Sequence, residues 1–201
     1  MPLPISSRPL NFVVLGLAVM AAGCDRQSGG NAQPQGTKAS STSSAPAAPT
    51  APAASGVLDR SHKGEPLPVV TVKDPAGGTL KLADLKGPAL INLWATWCAP
   101  CVTELPQLDK LATDRAGTLK VVTVSQDMGD GSKVAEFLNG KGLTRLKPWL
   151  DPQNDLAFKY GGGTLPTTVF YNAAGREVWR FVGGHDWTSA ETTKMLAEGG
   201  I

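Results

Sequence analysis

Ala89-Leu90-Ile91-Asn92-Leu93-Trp94-Ala95-Thr96-Trp97-Cys98-Ala99-Pro100-Cys101 decides how the rest of the chain is read. Residues 89–94 are an apolar run with the length and bulk of a buried strand. Beyond the second cysteine, Val102, Leu105, Leu108 and Leu111 recur at three-residue steps, which predicts one face of a helix over 102–115. The two cysteines therefore stand where a strand passes into a helix. The unpaired N–H groups and positive dipole end of a first helical turn stabilise a thiolate there. That lowers the pKa of Cys98 and makes it the nucleophile. Cys101, one turn on and less exposed, can reach back and close a disulfide. The stretch reads as a redox site.

Working outward, residues 67–72 and 78–82 are short strand-like runs around the turn signal Asp74-Pro75-Ala76-Gly77-Gly78. Residues 83–87 make a brief helical turn ended by Gly87. On the other side, 119–125 is rich in β-branched residues and predicts a second buried strand. Helices are expected over 132–139 and 154–160, closed by Gly140 and Gly161. Residues 167–171 and 177–182 flank Asn172-Ala173-Ala174-Gly175 as an antiparallel hairpin. A last helix spans 188–198, capped by Thr188 or Ser189. Strands alternating with helices, then a hairpin and a final helix, give an α/β domain over 57–201. Its mixed central sheet is covered by helices on both faces and carries an N-terminal β-hairpin extension.

Across the 201 residues, basic side chains exceed acidic ones by 19 − 17 = 2. From Val57 onward the numbers are 16 and 16, with no long run of one sign. Nucleic acid is thereby excluded as an expected partner, since phosphate binding needs clustered Lys and Arg. Three cysteines, one near the N-terminus and two in the motif, leave no pair for a separate structural disulfide. Zinc is not expected: there is no second Cys-x-x-Cys, and His62 and His185 lie far away in sequence. Both histidines read as plain surface residues, and Trp94, Trp149, Trp179 and Trp187 as core or edge packing.

Arg8 followed by the apolar run 12–22 and Gly23-Cys24 has the marks of an export signal over 1–23. The apolar core is short of the roughly 20 residues needed to span a bilayer; an uncleaved anchor is the alternative. Ala21-Ala22-Gly23-Cys24 resembles a bacterial lipoprotein cleavage box, with Ala21 where Leu is usual. Cys24 would then be lipidated, and Asp25 resembles a signal for retention on the inner membrane. Of the 32 residues from 25 to 56, 25 are Ala, Ser, Pro, Gly or Thr. Such a segment should stay disordered, a linker reaching on the order of 30 Å.

The motif region resembles thioredoxin-like proteins and, within them, the membrane-tethered reductases of the TlpA and ResA type. The likeness covers about residues 65–198 and rests on the stretch from Asn92 to Cys101, Glu104-Leu105-Pro106, Thr164-Leu165-Pro166-Thr167-Thr168, and Val182-Gly183-Gly184-His185-Asp186-Trp187. It is similar to these families in fold and implies that Cys98 attacks a disulfide while Cys101 resolves the mixed disulfide. Trp97 would be a contact surface beside the sulfurs, with packing as its alternative, and Pro100 would rigidify the helix start. Pro166 would be cis against the active disulfide, so that Thr164 and Leu165 offer main-chain groups to an extended substrate. The buried Asp many thioredoxins carry six residues before the first cysteine is here Asn92. The resemblance assigns to Glu104 instead the proton traffic of Cys101. The alternative for Glu104 is an acid in the first helical turn, placed there by the dipole.

Strong oxidants of this fold carry His inside the motif; Ala99-Pro100 stabilises the thiolate less, which favours a reductase. In an oxidising envelope such a protein must be recharged. The resemblance implies a membrane thiol transporter of the DsbD or CcdA type as donor. Apocytochrome c, or copper chaperones for cytochrome oxidase, are the implied acceptors. No cofactor beyond the Cys98–Cys101 disulfide is expected. A thiol peroxidase would need Thr or Ser where Ala95 stands, and a copper chaperone Cys-x-x-x-Cys with a later His.

Overall fold

The structure is a computed structural model that describes residues 56–201; the signal-like segment, Cys24 and the linker up to residue 55 lie outside the described residues. In chain order the strands are β1 (Val57–Asp59), β2 (Thr71–Lys73), β3 (Thr79–Lys81), β4 (Ala89–Trp94), β5 (Lys120–Ser125), β6 (Trp149–Leu150), β7 (Thr167–Tyr171) and β8 (Glu177–Val182). The helices are α1 (Ala99–Asp114), α2 (Ser132–Gly140), α3 (Asp155–Lys159) and α4 (Ala190–Ala197).

All strands join one sheet in the order β1-β8-β7-β4-β5-β6-β2-β3. β4 pairs parallel with β5 and antiparallel with β7, with Asn92 opposite both Thr123 and Thr168. Every residue of β4 and β7 is buried, as a strand covered on both faces must be. One face of the sheet packs the leucines of α1, Val134 and Leu138 of α2, and Met195 and Leu196 of α4 around Trp94, Phe170 and Trp179. The other face holds Val72, Leu82, Leu156 and Tyr160 against Ile91, Leu93, Val122 and Val169. The thioredoxin-like α/β fold expected from the sequence is the fold observed, and the N-terminal hairpin is present as β2 and β3.

Several elements differ from the sequence reading. The first expected strand shrinks to Thr71–Lys73, because Pro66 and Pro68 cannot donate to a ladder, although Leu67 and Val70 are still buried. β1, an edge strand on β8, and β6, only two residues long and directly following Pro148, are too short for alternation to show. Ser189 is the cap of α4, its Oγ accepting from the Thr192 N–H at 3.3 Å, whereas Thr188 is turned to the Asp186 carboxylate. α3 begins without a side-chain cap from Asn154. The Asp151 carboxylate takes its place, accepting from the N–H groups of Asp155 at 3.1 Å and Leu156 at 2.9 Å. A buried ion pair on β8 went unread: Arg180, 3% exposed, donates to both Glu177 oxygens at 2.6 and 3.0 Å and to Glu65 at 3.0 Å.

Candidate active site

α1 starts at Ala99, three residues earlier than leucine spacing alone suggested, and this sets the site. Cys98 becomes the N-cap, with its carbonyl accepting from the Val102 N–H at 3.0 Å. An N-cap side chain accepts from the N–H of the second or third helical residue. The second is Pro100, which has none, so the Cys101 N–H is the donor left for a Cys98 thiolate. The two cysteines are joined as a disulfide with Cα atoms 5.3 Å apart, Cys98 being 6% exposed and Cys101 1%.

The segment leading into Cys98 is clamped by a residue the sequence reading missed. Asp127, just past β5, accepts from the Thr96 N–H at 2.8 Å, the Thr96 hydroxyl at 2.6 Å and the Ser125 hydroxyl at 2.6 Å. A Ser-x-Asp following a β-branched strand was the available signal. Trp97, held between this clamp and the helix, is 71% exposed, which removes the packing alternative.

The second part of the site comes from the turn into β7, whose first residue Thr167 lies opposite Leu93 at the same end of the sheet. Gly161, Gly162 and Gly163 have φ of +92°, +131° and +71°, values that side chains other than glycine rarely adopt. They turn the chain into Thr164, Leu165 and a cis Leu165–Pro166 bond. The Pro166 carbonyl accepts from the Gly183 N–H at 2.8 Å. Thr164 is a partial correction: its carbonyl already accepts from the Thr167 hydroxyl at 2.7 Å. Leu165 packs against the cluster containing both cysteines and shares one groove with Trp97.

Glu104 lies in the second turn of α1, not the first, so the dipole does not account for an acid there. Three residues past Cys101, it returns to the same helical face, and it is 3% exposed. Burial raises its pKa from 4.5 to about 7. The main-chain N–H of His185 donates to Oε1 and opposes that rise, while Oε2 has no partner among the described residues. The Trp187 indole also draws the pKa down, although its N–H makes no well-formed hydrogen bond. Glu104 is thus a carboxyl that can hold or release a proton near neutrality.

His185 corrects the sequence reading: it is 6% exposed, not a surface residue. A lone imidazole in a loop carries no periodicity that would announce burial. Its ring centroid lies 4.5 Å from that of Phe181 and 4.7 Å from that of Trp187, and Nε2 lies 2.9 Å from the Thr192 oxygen. That hydroxyl donates to the Asp186 carbonyl, so Nε2 is the donor to Thr192. Burial lowers the His185 pKa. His62, by contrast, is partly exposed beside Glu65. Asn92, where many thioredoxins have Asp, is buried and donates to the Thr168 hydroxyl at 2.9 Å. Among the described residues no three His, Cys, Asp or Glu side chains converge as a metal site.

Residues 63–177 match the AhpC/TSA family. The chain is similar to thiol-disulfide oxidoreductase ResA of Bacillus thuringiensis (strain Al Hakam), 30% identical over 138 residues, 68% of this chain and 75% of that one. It is 35% identical over 123 residues to thiol:disulfide interchange protein DsbE of Pseudomonas fluorescens biotype C, covering 60% and 66% of the two chains. The crystal structure of a thio-disulfide isomerase from Thermus thermophilus superposes with a TM-score of 0.55 at 28% identity, over 68% of this chain and 96% of that one. A peroxidase would need a hydroxyl three residues before Cys98, where buried Ala95 stands, and the Thr96 hydroxyl next to it is held by Asp127. The chain belongs to the AhpC/TSA family and is a thiol-disulfide oxidoreductase of the ResA and DsbE type.

Proposed function

We propose that the protein is a reductase of protein disulfides in the bacterial envelope, working through the Cys98–Cys101 dithiol. The observation that carries this reading is the dithiol at the start of α1 with only Ala99 and Pro100 between the sulfurs. No cation there stabilises the thiolate, so the couple is less oxidising than one with His in the motif. The Cys98 thiolate attacks one sulfur of the acceptor disulfide, forming a mixed disulfide and releasing the other acceptor sulfur as a thiolate. Cys101 then loses its proton to Glu104 and attacks Cys98. Its electron pair closes the Cys98–Cys101 disulfide and expels the second acceptor sulfur. Two electrons have passed to the acceptor, and Glu104 can return the proton to a departing thiolate. Trp97, Pro100 and the Thr164-Leu165-Pro166 turn frame the acceptor segment, with Leu165 offering main-chain groups.

Recharging requires a dithiol donor, a membrane thiol transporter of the DsbD or CcdA type. Apocytochrome c or a copper chaperone of cytochrome oxidase is the acceptor, and lipidation of Cys24 holds the domain at the periplasmic side of the inner membrane. An unmodified Cys24 in the mature protein, read by mass spectrometry, would remove the anchor. Equilibration with dithiothreitol tests the direction of electron flow. The potential should fall near the thioredoxin value of about −270 mV, and a value near −120 mV would make the protein an oxidant.

A further inference from the structure

Asp127 is tied to the segment that carries the attacking sulfur. Its Oδ2 accepts from the Thr96 N–H at 2.8 Å and the Ser125 hydroxyl at 2.6 Å, and its Oδ1 accepts from the Thr96 hydroxyl at 2.6 Å. Its own main-chain N–H donates back to the Ser125 Oγ at 3.0 Å, which fixes the carboxylate from behind. Among the described residues no Lys, Arg or His forms an ion pair with it. The charge is held in place and left uncompensated.

Two peptide units separate Thr96 from Cys98, at most about 7.5 Å between Cα atoms. The Cys98 N–H, donating to the Ala95 carbonyl at 3.1 Å, folds that span into a turn. The carboxylate therefore lies on the order of 10 Å from the Cys98 sulfur. No charged side chain walls the depression between Trp97 and Leu165, so nothing cationic offsets it on the open side. The other titratable group beside the pair, Glu104, is three residues past Cys101 on α1. The N-terminus of α1 and Asp127 thus act on one thiolate with opposite sign. The helix end lowers its pKa, and a fixed anion nearby raises it.

Clamping alone does not call for an acid. Asn at 127 would accept from the Thr96 N–H and the Ser125 hydroxyl through its oxygen, and donate to the Thr96 hydroxyl through its nitrogen. What the acid adds is charge. We propose that Asp127 is a positioning residue that sets the thiolate of Cys98: its fixed charge offsets the helix terminus and keeps the couple reducing. A less stabilised thiolate makes the disulfide less oxidising and the sulfur, once ionised, a stronger nucleophile. This role rests on the reductase reading and deepens it by one residue.

Asp127→Asn removes the charge and keeps the clamp. In the full chain carrying Cys101→Ser, iodoacetamide alkylation of Cys98 is followed by peptide mass spectrometry from about pH 5 to 10, with and without Asp127→Asn. Each profile is taken at about 0.01 M and about 1 M NaCl, where the Debye length is about 30 Å and 3 Å. At low salt Asp127→Asn should lower the midpoint, raising the thiolate-to-thiol ratio at a given pH about fivefold, as one unit charge at that range implies. At high salt most of that difference should vanish, which a purely structural clamp would not show. An unshifted midpoint, a raised one, or a shift that persists at high salt overturns the proposal. Should Asp127→Asn not fold, Asp127→Ala is read in the same two salts. Equilibration of the wild-type chain with dithiothreitol keeps the two readings apart. An oxidising couple overturns the reductase reading and leaves the charge effect on Cys98 intact; a reducing couple with an unshifted Asp127→Asn midpoint overturns only the role of Asp127.

Discussion

Replacing Glu104 by Gln should change how stability depends on pH. Glu104 is buried and its pKa in the folded protein is about 7 against an ordinary 4.5. At about 1.4 kcal/mol for each tenfold change in proton affinity, that difference amounts to roughly 3 kcal/mol. Below pH 4.5 the carboxyl is protonated in both states and contributes no pH dependence. Between pH 4.5 and 7 the unfolded chain gives up this proton while the folded chain keeps it, so stability falls as pH rises. Above pH 7 both states are ionised and the loss is complete. Gln cannot titrate. Urea unfolding of the oxidised proteins, followed by tryptophan fluorescence from pH 4 to 8, gives the stability of each. The difference, wild type minus Glu104→Gln, should fall by about 3 kcal/mol across that range. Shared titrations cancel in the difference. A difference constant across the range would refute a buried, proton-holding Glu104.

The same variant should slow resolution of the mixed disulfide on the order of 10²-fold at pH 7, read by stopped-flow, if Glu104 takes the Cys101 proton; an unchanged rate would remove that role. Arg180→Ala should destabilise the domain by about 3–5 kcal/mol, because it strands buried Glu177 without its partner; urea unfolding measures it. Ser189→Ala should cost about 1 kcal/mol by the same method, through the lost cap of α4.

Where chemistry comes from neighbours in sequence, the chain could be read directly. The passage from β4 into α1 follows from an apolar run, two cysteines and periodic leucines, and the hairpin of β7 and β8 from its turn residues. What could not be read depends on contacts across the fold. His185 meets Glu104 across 81 residues of chain, and Asp127 meets Thr96 across 31. Nothing in either local sequence announces the partner. The start of α1 was misplaced because Ala99 and Pro100 lie outside the leucine period, and that shift is what moved Glu104 out of the first turn. The short edge strands β1 and β6 owe their existence to a neighbouring strand, not to their own pattern.

The central claim is a division of labour between two sulfurs, Cys98 attacking and Cys101 resolving. Mass spectrometry of the reduced single-cysteine-site variants after mixing with a disulfide-containing protein tests it most directly. Cys101→Ser should accumulate a stable mixed disulfide on Cys98, and Cys98→Ser should form almost none on Cys101, which is 1% exposed. Equal adducts in both variants, or none in either, would contradict the account.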